Sequence, residues 1–160
     1  MSSHQTPNYY ICASSELTDG FVSISLNDMY NNSINDPLLT FDDNTSKFAN
    51  QPVYINEVYM NVPLFEVVTT KGRTIRLSIN QSIMCVDSDI SEHEYNVRYR
   101  PLSIVCGLDE SCSVLIHDHD SSYSIEGVHH VSQVGSSNAF MVESTNGNGF
   151  VANGFVVLNY

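Results

Sequence analysis

The residues best equipped for chemistry cluster late in the chain. "HDHD" (117–120) is followed closely by "HH" (129–130). On a strand, His117 and His119 stand two apart and share one face, with Asp118 and Asp120 beside them. Neutral imidazoles with neighbouring carboxylates suit zinc. An acidic, exposed hairpin tip accounts for the same letters and is the preferred reading, so no metal and no cofactor is expected. Four cysteines, Cys12, Cys85, Cys106 and Cys112, show no CxxC spacing. They read as reduced, semi-buried residues rather than a disulfide framework or a zinc site. The last stretch, "NGFVANGFVVLNY" (148–160), poses a different question. Termini usually fray in polar tails, yet here an apolar strand runs straight into Asn159 and Tyr160.

The elements that must position such residues are short strands. "FVSISL" (21–26) and "YNVRY" (95–99) alternate with period two, the pattern of half-buried strands. Strand-like composition also marks 37–41, 52–61, 64–70, 73–79, 103–107, 113–117, 128–134, 139–144, 149–152 and 154–158. "LTDGF" and "TTKGRT" supply the glycines that tight hairpins need at positive φ, and "TKGR" reads as a solvated turn. "ISLNDMYNN" could form one short helix, a poor one given its Asn and Asp content. The expectation is a single all-β domain spanning 1–160.

Bulk properties narrow the function. A chain of 160 residues, 42% hydrophobic, suits one globular domain. No apolar run is long enough to cross a bilayer, and no basic segment followed by an apolar one marks an export signal. A cytoplasmic monomer is therefore expected. Eighteen acidic side chains against six basic ones give a net charge of −12, which repels a phosphate backbone and argues against nucleic acid.

Two stretches carry a family resemblance. "LFEVVTTKGRTIRLSINQSIM" (64–84) resembles the second conserved block of intein and Hedgehog-type Hint domains, in which strand, Gly turn and strand deliver a Thr and a His to the N-terminal cleavage site. "SQVGSSNAFMVESTNGNGFVANGFVVLN" (132–159) resembles the last two intein blocks, and "FVANGFVV" is close to identical to the family pattern. "DGFVSISLNDMYNN" (19–32) and "DPLLTFDDNT" (36–45) are similar to the early strands and turn, in the right order. The stretch between blocks is too short for an inserted endonuclease. The resemblance implies a Hint-type all-β horseshoe with both chain ends in one cleft. It also implies self-processing between flanking polypeptides: an ester or thioester at the N-terminal junction, and cyclisation of a terminal Asn with chain cleavage after it. That Asn matches Asn159.

Carried over residue by residue, most of the machinery is replaced. Gln81 stands at the block-two His position and carries no proton near neutral pH. Ser78 stands at the Thr position and keeps a hydroxyl. Met141 replaces an Asp, Asn148 a His, and Leu158 the penultimate His. Tyr160 follows Asn159 where splicing needs Cys, Ser or Thr. The N-terminal nucleophile is Cys12 or Ser3; Cys12 lies at a familiar distance from Gln81, whereas Ser3 leaves room for a first strand over 8–14. Structural alternatives accompany each: Ser78 and Gln81 as hydrogen bonders in a buried site, Cys12 as a small core residue, Asn159 as a strand-end cap. Each lost acid or base costs on the order of 10²–10⁴ in rate. Splicing is therefore expected to be absent, with slow cleavage after Asn159 as the residual activity. The alternatives are a non-catalytic relic of the fold or an all-β protein-interaction module.

Overall fold

The computed structural model describes residues 10–45, 47–87, 96–105, 112–118, 123–144 and 148–158. Two long strands form its spine: β6 (Val53–Thr69) and β11 (Tyr123–Ser144), here numbered in chain order, pair antiparallel along most of their length. The sequence suggested that each would be two strands, broken near Pro63 and Gly135. The chain bends there without stopping. Asn61 takes φ 57° and Gly135 φ 108°, and the register shifts between Gln133 and Gly135 and between Ser137 and Ala139. Extra residues absorbed in this way bend a ribbon while the ladder continues.

A two-residue strand closes one end of the spine into a ring. β1 (Ile11–Cys12) pairs through Ile11 with Leu77 of β7 (Thr74–Leu77), and with Phe140 and Ala139 of β11. β7 pairs with β6 across the "TKGR" turn, where Gly72 takes φ 85°. Ring closure pairs Ile11 with a strand on each side, which stabilises a strand too short to stand alone.

The remaining strands are β2 (Glu16–Thr18), β3 (Ser23–Ser25), β4 (Leu38–Asp42), β5 (Lys47–Gln51), β8 (Ser82–Asp87), β9 (Asn96–Pro101), β10 (Ser113–His117), β12 (Gly149–Ala152) and β13 (Phe155–Leu158). They continue from β11 through β10, β8, β13, β12 and β2 to β3, with β4 and β5 attached to β12 and β9 to β8. Every residue of β12 and β13 is buried, so the last hairpin is a core element. Its turn places Asn153 (φ 50°) and Gly154 (φ 86°) both in the left-handed region, the geometry that makes Asn-Gly a hairpin signal. The main core runs through both parts, joining Ile11, Leu77, Val114, Phe140, Phe150 and Phe155.

Helix content is small. α1 (Leu26–Asn31) starts where a strand was expected to end: the Ser25 hydroxyl accepts the Asp28 N–H at 3.1 Å, and Leu26 and Met29 turn one face inward. The strand expected over 103–107 is not formed in its described part. Residues 102–105 make a single helical turn, α2 (Leu102–Val105), after Pro101. Burial there has a three-residue period, with Leu102 and Val105 inside and Ser103 and Ile104 outside. The N–H groups of Leu102 and Ser103 find the carbonyls of Gln81 and Ile79, both at 3.0 Å. That tertiary pairing outweighs the strand propensity of Ile104 and Val105.

Candidate functional site

Residues 78–81 leave β7 and enter β8 as a tight turn, closed by the Gln81 N–H on the Ser78 carbonyl at 3.1 Å. One side of the turn holds the entering strand. The Ser78 N–H donates to the Tyr10 carbonyl at 2.9 Å, and the Tyr10 N–H donates to the Ser78 Oγ at 2.8 Å. The other side holds the exiting strand. Gln81 Nε2 donates to the Leu158 carbonyl at 2.7 Å, beside the β8–β13 pairing of Ser82 with Leu158. The start of α2 supports the turn from behind through the Gln81 and Ile79 carbonyls. The first described strand and the last one thus meet on four residues.

Gln81 is 0% exposed, and its Oε1 is buried with no hydrogen-bond partner among the described residues. A buried amide oxygen without a donor costs about 1–3 kcal/mol, offset in part by the bond its nitrogen makes. Here a carboxamide takes a position from which a proton carrier could have acted.

No family model and no curated protein sequence matches the chain. Solved structures do. The DnaB intein from Synechocystis sp. PCC 6803 superimposes with a TM-score of 0.74 at 18% identity, covering 95% of this chain and 99% of that one. The TvoVMA intein gives 0.71 at 13% identity, over 96% and 99% of the two chains. The transcription factor IIB Mvu mini-intein gives 0.67 at 18%, over 94% and 99%. The chain has the intein fold.

Within that fold the expected positions separate into two groups. Ser78, Gln81 and Leu158 come together at the turn, all buried. Gln81 bonds the Leu158 carbonyl, and among the described residues Ser78 bonds the Tyr10 backbone. Cys12 is buried in a satellite core with Tyr10, Val62, Leu64, Ala139 and Met141, its Sγ 3.3 Å from Ser14 Oγ. The residue whose backbone meets Ser78 is Tyr10, two positions earlier. Asn148 is half-buried ahead of β12, and its carbonyl accepts the Ser144 hydroxyl at 2.7 Å. The hydroxyl of Tyr99 occupies the space that a Cβ at 149 would need, so a side chain there would require Tyr99 to move. Ser3, Asn159 and Tyr160 lie outside the described residues.

The His-rich stretch is not simply an exposed tip. His117 is buried at the end of β10; its N–H donates to the Gly154 carbonyl at 2.8 Å and its ring meets Phe48 edge-on at 5.0 Å. Phe48 sits on β5, an element the sequence reading lacked, and it supplies the cover. His129 and His130 are exposed and face each other. Among the described residues no three metal-donor side chains converge; His119 and Asp120 fall outside them.

A charged cluster went unnoticed in the sequence. Glu126, 3% exposed, accepts the Thr69 hydroxyl at 2.7 Å through Oε1, and its Oε2 lies 3.6 Å from Arg73 Nε. Arg73 Nη2 lies 3.7 Å from Asp118. Arg73 turns inward from the turn that was expected to be wholly solvated, and its guanidinium packs where a Cβ on Gly154 would sit. It borders a cleft of about 270 Å³ that Glu16, Thr18, His117 and Asn153 also line. Two hairpin carboxylates are perturbed in opposite senses. Desolvation holds the Asp43 carboxyl above its ordinary value, against the opposing effect of the Tyr99 hydroxyl bonded to it at 3.3 Å. The N–H groups of Val22 and Phe21 hold Asp19 below its own.

Proposed function

We propose that the chain is an intein-like autoprocessing domain, set between flanking polypeptide segments, whose proton-transfer residues have been replaced. It is inactive for splicing and retains at most slow cleavage after Asn159. The observation that carries this reading is the 2.7 Å bond from Gln81 Nε2 to the Leu158 carbonyl, on the turn that also binds Tyr10. An autoprocessing domain must bring both junctions to one place, and the carbonyl immediately before Asn159 is held there.

The chemistry runs as follows. The Asn159 side-chain nitrogen attacks the Asn159 carbonyl carbon; a succinimide forms and the amine of the next residue departs. That step needs a base for the attacking amide and an acid for the departing nitrogen. Gln81, Asn148 and Leu158 supply neither near neutral pH. Gln81 instead fixes the end of the last described strand, one residue before Asn159, a positioning contribution that survives loss of the proton carriers. The same bond favours a second reading, a non-catalytic relic in which Gln81 is a staple.

A precursor tagged at both ends, followed by intact mass, tests the proposal. The wild-type chain keeps its N-terminal flank in thiol or hydroxylamine and yields no joined flanks; joined flanks would overturn the claim of impairment. In the Q81H/L158H double variant, scission after Asn159 should rise at least about 100-fold. A folded double variant that stays intact would sink the assignment of these positions and leave the relic.

A further inference from the structure

The sequence reading kept all cysteines apart, and the structure brings two together. Cys85 lies on β8 opposite Val114 of β10, and Cys112 immediately precedes β10. Their Sγ atoms stand 3.8 Å apart, although 27 positions separate them in sequence. Cys85 is 1% exposed and Cys112 6%, and both belong to the main core. All three described cysteines are reduced thiols. Cys12 lies in the satellite core instead.

We propose that Cys85 and Cys112 are a redox modification site that closes to a disulfide on exposure to a small disulfide oxidant. The two thiols already face each other across adjacent antiparallel strands. The pair is a diagonal one, for which Cα atoms lie about 7–8 Å apart, so closing the remaining gap takes side-chain rotation together with a small approach of the two strands. The exchange balances. The thiolate of Cys112, the more exposed of the two, attacks one sulfur of the oxidant and releases a thiol. Cys85, deprotonated in turn, attacks the Cys112 sulfur of the mixed disulfide and releases the second thiol. Two protein thiols lose two electrons and two protons, and the oxidant becomes two thiols. The bond ties β8 to β10 four residues beyond Gln81. It thus braces the strand leading out of the turn that holds both ends, independently of any cleavage there.

The test uses the full chain, reduced and then incubated with oxidised glutathione. The expected product is lighter by about 2 Da, with two of its four thiols protected from alkylation after unfolding and a peptide map joining 85 to 112. Its melting midpoint should rise by roughly 5–10 °C and fall back on reduction. Four alkylated thiols, a bond between other cysteines, or a glutathione adduct that persists on one residue would each overturn the proposal. Cys112→Ala should lose the cross-link. Should that variant fail to fold, the C12A/C106A chain must still form it, because its only thiols are the proposed pair.

Discussion

The two polar clusters of this molecule are built on opposite principles. At the turn of residues 78–81 the side chains of Ser78 and Gln81 are neutral, and their bonds to Tyr10 and Leu158 hold backbone of the first and last described segments. At the β6–β7 hairpin the polar groups are charged, and a buried carboxylate is balanced by Thr69 and Arg73. The first cluster joins the first and last described segments and contains no ionisable side chain. The second has ionisable groups, with His117 nearby, yet its bonds join β6, β7 and β11 rather than the ends. Position and charge are thus separate properties here: backbone pairing such as Leu158 with Ser82 sustains the convergence of the first and last described segments without any ionisable side chain.

Substitutions should separate the clusters. The largest loss of stability is expected from Glu126→Ala, about 2–3 kcal/mol in urea unfolding, since it removes the acceptor of the Thr69 hydroxyl proton and the buried carboxylate beside Arg73. The figure stays below that for a fully buried pair because Arg73 is about one-third exposed. An unchanged midpoint would show that the charged cluster bears no load. Ser78→Ala should cost about 1–2 kcal/mol by stranding the buried Tyr10 N–H. Hydrogen exchange should speed up selectively at Tyr10; uniform exchange across the chain would contradict a local grip. Gln81→Leu is expected to fall within about 1 kcal/mol of wild type, since losing the bond to Leu158 is offset by removing a buried oxygen without a donor. A loss well above that would mean that the orphaned oxygen is satisfied in solution.

The smallest effect concerns Asp43. Its folded carboxyl binds a proton more tightly than the unfolded one, so its contribution to stability is present at low pH and is lost as the pH rises through the raised value. Asp43→Asn should therefore raise stability by a few tenths of a kcal/mol at pH 7. The gain should vanish below the ordinary carboxylate value of 3.8. Melting curves of both proteins across that range decide it, and an equal gain at every pH would exclude ionisation as the cause.

Much of this architecture could be read from local signals. The Asp-Gly, Lys-Gly and Asn-Gly turns each sit in a hairpin, and strands over 64–70, 113–117 and 154–158 form close to where alternation and apolar runs put them. What escaped depends on distant partners. "KFANQ" has only Phe48 to suggest a strand, and becomes β5 because β4 offers an edge. Residues 102–105 carry strand propensity, and turn helical because two carbonyls from the 78–81 turn await their N–H groups. Gly135 and Pro63 look like terminators, yet lie within ribbons whose pairing continues past them. The resemblance singled out Ser78, Gln81 and Leu158, and the structure brings these three to one turn. The reach of Gln81 to the last strand was not legible, since a side chain's direction follows from the register of β8 on β13. The Cys85–Cys112 contact has the same origin.

The ring closed by Ile11 also constrains the order of events during synthesis. This strand is synthesised before either of its two neighbours, which contribute Leu77 and Phe140. Until the second has emerged, the leading residues lack one wall of their seat, and their backbone groups must be served by water or by whatever else is at hand. The seat of Ile11 is therefore completed only after the later of its two partners, Phe140, has been made.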